Sequence, residues 1–182
     1  MHMKEDHMRN SQLKPGYNMQ IGVEGEYIVG LDISSERSDQ LTFIPFLDKL
    51  RENISQKFEN LIADAGYESE ENYEYLEKNK QNTFIKPQTY ENMKKRCFKN
   101  NISKRQNMNY DEMNDKYTCH NNKILSVIGK KTKRSKSGYE ADVTIYECED
   151  CDDCQCKSKC TKAKGNKKLY VSKKFVQKRL IS

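Results

Sequence analysis

Apolar and polar residues alternate along two consecutive stretches, 17–24 and 26–34, with Glu24-Gly25-Glu26 between them. A period of two reads as strand, and a glycine that can take positive φ supplies a tight turn, so the pair predicts a β-hairpin. The period then lengthens. Leu41, Ile44, Leu47, Leu50 and Ile54 recur on one helical face. Ser38 or Asp39 is placed to cap this helix, which is expected to run to about Lys57 and to kink or restart at Pro45. Residues 58–63 form a short apolar run that ends in Asp64, with a glycine turn behind it. Ser69 caps the next helix, Glu70 and Glu71 sit in its first turn near the positive dipole end, and Tyr73 and Leu76 face inward. Residues 82–86, with Phe84 and Ile85, give a further strand that Pro87 stops. The order β-β-α-β-α-β requires at least one parallel pairing, because a helix joins the hairpin to the next strand. It therefore predicts an α/β sheet.

The pattern loosens after Pro87. Residues 88–116 are polar, basic and poor in aliphatics, and read as a basic linker. Residues 117–119, 123–130 and 139–147 read as three short antiparallel strands, with a hydrophilic loop, 131–138, between the last two. A cysteine cluster fills 148–160, and 161–182 reads as a basic tail with eight Lys/Arg and no acid. With a polar lead-in at 1–16, the expected division is 1–16, 17–87, 88–116, 117–160 and 161–182.

Composition sharpens this division. The chain is 35% hydrophobic and 33% charged, which suits one modest core and an open, charged region. Residues 1–90 carry 10 Lys/Arg and 16 Asp/Glu, whereas 91–182 carry 23 and 11. An acidic half followed by a basic half points to a polyanion partner for the second. No signal peptide is visible at the start, and no run approaches the ~18 apolar residues of a membrane span. The expectation is a cytoplasmic protein with no membrane partner. Seven cysteines in a reducing compartment favour metal ligation over disulfides.

Asp64 closes a buried-type strand, the position at which open α/β sheets present ligands and at which an Mg²⁺ ligand for phosphoryl transfer would stand. Its plain reading is a turn former or cap. Glu68, Glu70, Glu71, Glu74 and Glu77 follow on a helix and most look solvent-facing, while Asp32 near the end of the hairpin is a better-placed second acid without being a clear partner. Cys148, Cys151, Cys154, Cys156 and Cys160 have the spacing C-x₂-C-x₂-C-x-C-x₃-C. Cysteine pairs at x₂ spacing grip tetrahedral Zn²⁺, and Lys157, Lys159 and Lys162 would favour thiolates. The expected structural zinc ligands are Cys148, Cys151, Cys154 and Cys160, with Cys119 or Cys156 as alternatives. An iron–sulfur cluster or inert thiols are the other readings. Tyr117-Thr118-Cys119 echoes Tyr146-Glu147-Cys148, so two Tyr-x-Cys strand ends could lie side by side. Cys97 reads as a plain thiol, and His120 as a surface residue or an extra ligand.

The basic runs are Lys94, Lys95 and Arg96, then Lys130, Lys131, Lys133 and Arg134, then Lys167, Lys168, Lys173 and Lys174. They are interleaved with Phe98, Tyr139, Tyr170 and Phe175, so phosphate contact and base stacking are both available. The plain alternative is a solvated surface.

Several blocks together resemble bacterial insertion-sequence transposases of the DDE type. They are Leu13-Lys14-Pro15-Gly16-Tyr17-Asn18-Met19-Gln20, Ser38-Asp39, Ile62-Ala63-Asp64-Ala65-Gly66-Tyr67-Glu68-Ser69-Glu70-Glu71-Asn72, Phe84-Ile85-Lys86-Pro87, and Tyr146-Glu147-Cys148-Glu149-Asp150-Cys151-Asp152-Asp153-Cys154 followed by Lys159-Cys160-Thr161. The resemblance implies an incomplete RNase H-like mixed sheet with helices over 17–87, α/β in kind and α+β overall. A small cysteine-rich antiparallel β insert and a basic tail follow. It implies Mg²⁺-dependent phosphodiester cleavage and strand transfer in DNA transposition and recombination, with Asp64 as the second of three metal-binding acids. Nothing here matches the first Asp, and the chain stops before the third acid, a Glu. The resemblance therefore implies a truncated or split reading frame, catalytically incomplete alone, whose sheet lacks its first strand and exposes an unpaired edge. Its partners would be DNA at transposon ends, and a full-length transposase or a second copy, at the bacterial nucleoid. The alternative is a non-catalytic, zinc-containing DNA-binding regulator or inhibitor of transposition.

Overall fold

The structure, a computed structural model, describes residues 16–54 and 57–182. They divide into two compact units, one reaching to Lys86 and including Ser182, the other spanning Pro87–Ile181. Both mix helices and strands, so the fold is α+β overall.

The first unit opens with the expected hairpin, β1 (Asn18–Glu24) and β2 (Tyr27–Ser34), paired antiparallel from Asn18↔Ser34 to Glu24↔Tyr27. Gly25 and Glu26 both take positive φ, as a two-residue hairpin turn of the right twist requires. Helix α1 (Asp39–Asn53) runs unbroken through Pro45 and ends at Ile54, earlier than the expected Lys57. Its inward face is Thr42, Phe43, Leu47 and Leu50; Leu41 and Ile44 of the expected stripe are only half-buried. The face shifts because α1 packs under the hairpin where Gly22 and Gly30 pair. A Cβ on Gly30 would lie 2.8 Å from Leu50 Cδ1, and one on Gly22 would lie 3.0 Å from Phe46 Cζ. Two opposed glycines thus make the seat for these side chains.

Strand β3 (Asn60–Ala63) and strand β4 (Asn82–Ile85) pair in parallel, Asn60↔Asn82 through Ala63↔Ile85. A 3-10 turn (Ala65–Tyr67) and helix α2 (Glu70–Lys78) connect them. Ser69 caps α2 by accepting from Asn72 N at 3.0 Å, and Tyr73 and Leu76 are buried, as the sequence predicts. The expected parallel pairing is present; among the described residues, β1-β2 and β3-β4 form separate two-stranded sheets.

The second unit is built on one antiparallel sheet, in the order β5 (Asn109–Asp111), β6 (Lys116–Thr118), β7 (Ile124–Arg134), β8 (Glu140–Cys148), β9 (Lys168–Val171). The three predicted strands are its middle. Both flanks lie where irregular chain was expected. Segment 88–116 carries the short helices α3 (Tyr90–Lys94) and α4 (Arg96–Lys99) before β5, and Met108 enters the core. Segment 161–182, expected as a tail, supplies β9 and α6 (Lys173–Ile181). Leu169 and Val171 are buried beside Tyr117, Leu125 and Tyr146, so two aliphatics among lysines suffice to dock a strand. The two Tyr-x-Cys ends are not adjacent, because β7 lies between β6 and β8. The Tyr117 and Tyr146 rings still meet edge-on, with centroids 4.9 Å apart. Among the described residues, no helix is long and apolar enough to cross a membrane.

Asp115, in the β5–β6 turn, ties this unit together. It accepts from Tyr110 Oη at 2.8 Å, Tyr146 Oη at 2.7 Å and Lys173 Nζ at 2.5 Å. Burial works to raise its pKa, but these three donors outweigh it and hold the carboxyl at about 2, against an ordinary 3.8. A depressed carboxyl contributes stability that is full above its unfolded pKa and is lost as pH falls through the folded one. Asp115→Ala should lower stability by roughly 2 kcal/mol near pH 7. The gap between variant and parent should close as pH falls from about 4 toward 2, read by urea denaturation at each pH; a gap that does not change with pH would refute this role.

Candidate functional site

Asp64 follows Ala63, the last residue of β3, at the C-terminal end of the parallel pair. Its side chain is exposed and accepts from the amide of Ala65 at 2.5 Å, so it also does the capping that its plain reading predicts. The turn behind it is held from three directions. Tyr67 donates its hydroxyl to Gln20 Oε1; Gln20 Nε2 donates to Asn18 Oδ1 at 2.7 Å; Asn18 Nδ2 donates to Asp39 Oδ1 at 2.7 Å. This run links the 3-10 turn, β1 and the start of α1. From the other side, Gln40 Nε2 donates to Glu68 O at 2.6 Å and Asn72 Nδ2 to Tyr67 O at 2.8 Å. Burial raises the Tyr67 pKa, and the carboxylates of Asp39 and Asp64 add to the rise, so Tyr67 stays a neutral donor.

Asp39 packs against Gly66, where any Cβ would run into its carboxylate. Asn18, Gln20 and Asp39 are the residues that sequence reasoning did not assign to the site. The available signal was the alternation itself: on β1 it is Gln20, not its apolar neighbours, that is buried, at 2% exposure.

The other acids fall differently from expectation. Glu68 is 2% exposed and accepts from the Tyr73 hydroxyl at 3.1 Å, an exception among acids of which most look solvent-facing. Asp32 is paired with Lys49 of α1 at 2.5 Å. Glu70 and Glu71 occupy the first turn of α2, and Glu74 pairs with Lys78 at 2.9 Å. Among the described residues, no three His, Cys, Asp or Glu side chains form a group that could hold a metal.

Six of the seven cysteines come together. Cys119, from the β6–β7 turn, lines one small cavity with Cys148, Cys151, Cys154, Cys156 and Cys160. Cys97 is exposed elsewhere on α4. The cavity lies where the end of β8, the following loop and helix α5 (Lys157–Cys160) converge. Asn121 Nδ2 donates to Cys154 Sγ at 3.6 Å, and the Lys167 amide to Cys151 Sγ at 3.5 Å. The closed zinc set expected at Cys148, Cys151, Cys154 and Cys160 is nonetheless not assembled. Burial pushes the Cys148 thiol up to about 12 and also raises Cys160. Lys157, expected to favour thiolates, pairs with Asp152 at 3.1 Å; the lysine that bears on Cys160 is Lys167.

The predicted DNA contacts also divide. Lys130, Lys131, Lys133 and Arg134 project from the exposed distal half of β7, and Lys131 lies over the Tyr170 ring at 4.9 Å. Lys94 stacks on Tyr90 at 4.0 Å; Lys95 and Arg96 open α4. Three others are bound up in the fold. Lys167 Nζ donates to Ser103 O and Cys160 O, Lys168 pairs with Glu147, and Lys173 pairs with Asp115. Lys174 is exposed on α6.

The Asp39–Gly66 contact is directly testable. Gly66→Ala should destabilise the first unit by roughly 1–3 kcal/mol through overpacking. Adding Asp39→Ala should make the double variant less unstable than the sum of the two single ones. Additive losses in urea denaturation would show that the contact carries no strain.

A protein-family model described as "Transposase DDE domain" matches residues 2–177. No curated protein and no solved structure gives a significant match. The family match spans nearly the whole chain and includes the Asp64 turn, β1 with Asn18 and Gln20, and the cysteine-lined cavity. The chain belongs to the transposase DDE domain family.

Proposed function

We propose that Asp64 is one metal-binding acid of a DDE transposase and that the second unit is its DNA-contacting part, with zinc ordering its cysteine loop. Transposase function, DNA as partner and Mg²⁺ as the working metal follow from the family. The observation that carries the finer reading is the placement of Asp64 on a rigid strand end, beside a turn fastened to β1 and α1. Bound Mg²⁺ in such enzymes activates the attacking oxygen and stabilises the leaving one. Here Asp64 is exposed and ready to present oxygen, while the acids around it do not complete the clamp among the described residues. This chain by itself neither cleaves nor joins DNA; transposon ends, and a full-length transposase or a second copy, are its proposed partners. That same incompleteness favours a second reading, a zinc-containing DNA-binding regulator or inhibitor of transposition.

Purified 1–182 with terminal-repeat DNA and Mg²⁺ should give no strand cleavage or transfer, and a joined product would overturn catalytic incompleteness. Lys131→Ala with Lys133→Ala should weaken DNA binding by a similar factor on every sequence and flatten its salt dependence, because these would be phosphate contacts. Unchanged affinity would remove the β7 ridge from the interface.

Zinc is proposed for the cysteine cavity because six cysteines already line it. Metal capture would displace the thiol protons and draw the sulfurs together, so affinity should rise with pH. Elemental analysis should find one zinc per chain. Iron with sulfide, or no metal after expression in zinc-supplemented medium, would reject the assignment.

A further inference from the structure

The register of the second unit's sheet sorts its charges onto two faces. Residues directly opposite each other across an antiparallel pair share a face, and successive residues alternate between faces. On one face of the distal β7–β8 pair, Arg134 stands opposite Glu140, Thr132 opposite Asp142 and Lys130 opposite Thr144. Thr132 Oγ1 donates to Asp142 Oδ1 at 3.3 Å. The cations of that face, Lys130 and Arg134, are thus matched by two carboxylates. Toward β9 the same face carries Tyr146, Leu169 and Val171, part of the core on which Val176 of α6 packs.

The opposite face differs. Lys131 stands opposite Val143, Lys133 opposite Ala141, and Tyr170 of β9 opposite Ile145. No carboxylate lies across the ladder from either lysine. Glu147, farther along β8 on this face, pairs with Lys168 at 3.4 Å. Lys131 and Lys133 are both exposed. Lys131 Nζ lies 4.9 Å from the centroid of the Tyr170 ring, and Tyr170 is itself 56% exposed. An aromatic face attracts an ammonium without neutralising it, so the ring restricts a flexible four-carbon side chain and leaves its charge available.

We infer that DNA lies against this one face of the sheet, with its phosphates on Lys131 and Lys133, and that Tyr170 is a positioning residue that holds Lys131. This rests on the DNA-contacting role proposed for the second unit, and it says which side of the sheet the nucleic acid takes. A phosphate approaching the other face would meet Asp142 and Glu140, whose repulsion offsets the attraction of Lys130 and Arg134. The packing of Val176 also blocks that face toward β9. Lys131 and Lys133 are two residues apart on a strand, so their ammonium groups reach the same side, along one edge of the ligand. Nothing in this geometry depends on a catalytic role for Asp64.

The test compares two charge-matched variants of the full chain on a fluorescein-labelled DNA duplex of random sequence, with affinity measured across a series of salt concentrations. Lys131→Ala with Lys133→Ala, and Lys130→Ala with Arg134→Ala, remove the same charge from opposite faces of one strand. The first pair should reduce the salt slope of the affinity by about two, and the second by less than about one. Tyr170→Ala should weaken binding roughly twofold to fivefold. Tyr170→Phe should restore it, and Tyr170→Ala should cost nothing further once Lys131 is alanine. Equal losses from the two charge-matched pairs, or a larger one from Lys130 and Arg134, would overturn the choice of face. A Tyr170→Ala loss that persists without Lys131, or that phenylalanine does not restore, would overturn the positioning role. A parent chain that binds no duplex would instead refute the DNA-contacting role itself, and this inference with it.

Discussion

The hydrogen-bonded run from Tyr67 through Gln20 and Asn18 to Asp39 is the constraint on which the first unit depends. Gln20 is almost wholly buried, and its amide would cost about 1–3 kcal/mol for each group left unsatisfied. Both ends of that amide are used, one by the Tyr67 hydroxyl and one by Asn18. The strand, the helix start and the 3-10 turn therefore satisfy one another's polar groups, and none can move without orphaning a neighbour. Asp39 closes the run and packs on Gly66, which fixes the residue pair following Asp64. The direction of the Asp64 carboxylate is set by elements distant in sequence, not by β3 alone.

This constraint also decides which face of the hairpin is buried. With Gln20 and Gly22 turned toward α1, the odd-numbered residues of β1 must point away from it. Met19, Ile21 and Val23 are exposed, and their cross-strand partners Ile33, Leu31 and Ile28 are exposed with them. Ile62 and Phe84 repeat the arrangement across β3 and β4. A two-stranded sheet with one packed face and one apolar open face is marginal in water. The polar run compensates by fastening the turn after Asp64 to the hairpin and to the start of α1.

The sequence disclosed elements where local chemistry was strong. Ser69 with Glu70 and Glu71 marked the start of α2, Pro87 the end of β4, and Glu24-Gly25-Glu26 the hairpin. Asp64 was found at a strand end because a short aliphatic run, a carboxylate and a glycine form a local signal. What stayed hidden was non-local. Nothing near Asp39 indicates that its carboxylate meets Gly66, 27 positions away. Glu68 looks like a surface acid until Tyr73 donates to it in the interior. Strand β9 was missed because Leu169 and Val171 are embedded in lysines, and only registry with β8 reveals them as core. The thiols were legible by spacing, but the membership of Cys119 in their cavity depended on the β6–β7 turn folding back.

In the second unit, apolar packing and thiol chemistry are separable, and that separation explains how a lysine-rich sequence folds at all. Tyr117, Leu125, Tyr146, Leu169 and Val171 form a core that includes Cys148 and Cys151, with Cys119 packed against it. Cys154, Cys156 and Cys160 stand outside it, on the loop and short helix between β8 and β9. The sheet is thus held by rings, aliphatics and the Asp115 junction, while the cysteine loop is fastened by the Cys151 amide donating to Asn166 Oδ1 at 3.0 Å, by sulfur contacts at 3.5–3.6 Å and by the Lys167 ammonium. A ligand for those sulfurs would order the loop without being needed to build the sheet. The lysines of distal β7 lie beyond both, on the stretch of hairpin farthest in register from Cys148. Among the described residues, β8 is the strand that pairs with that half of β7, and its Lys130, Lys131, Lys133 and Arg134 stand in water.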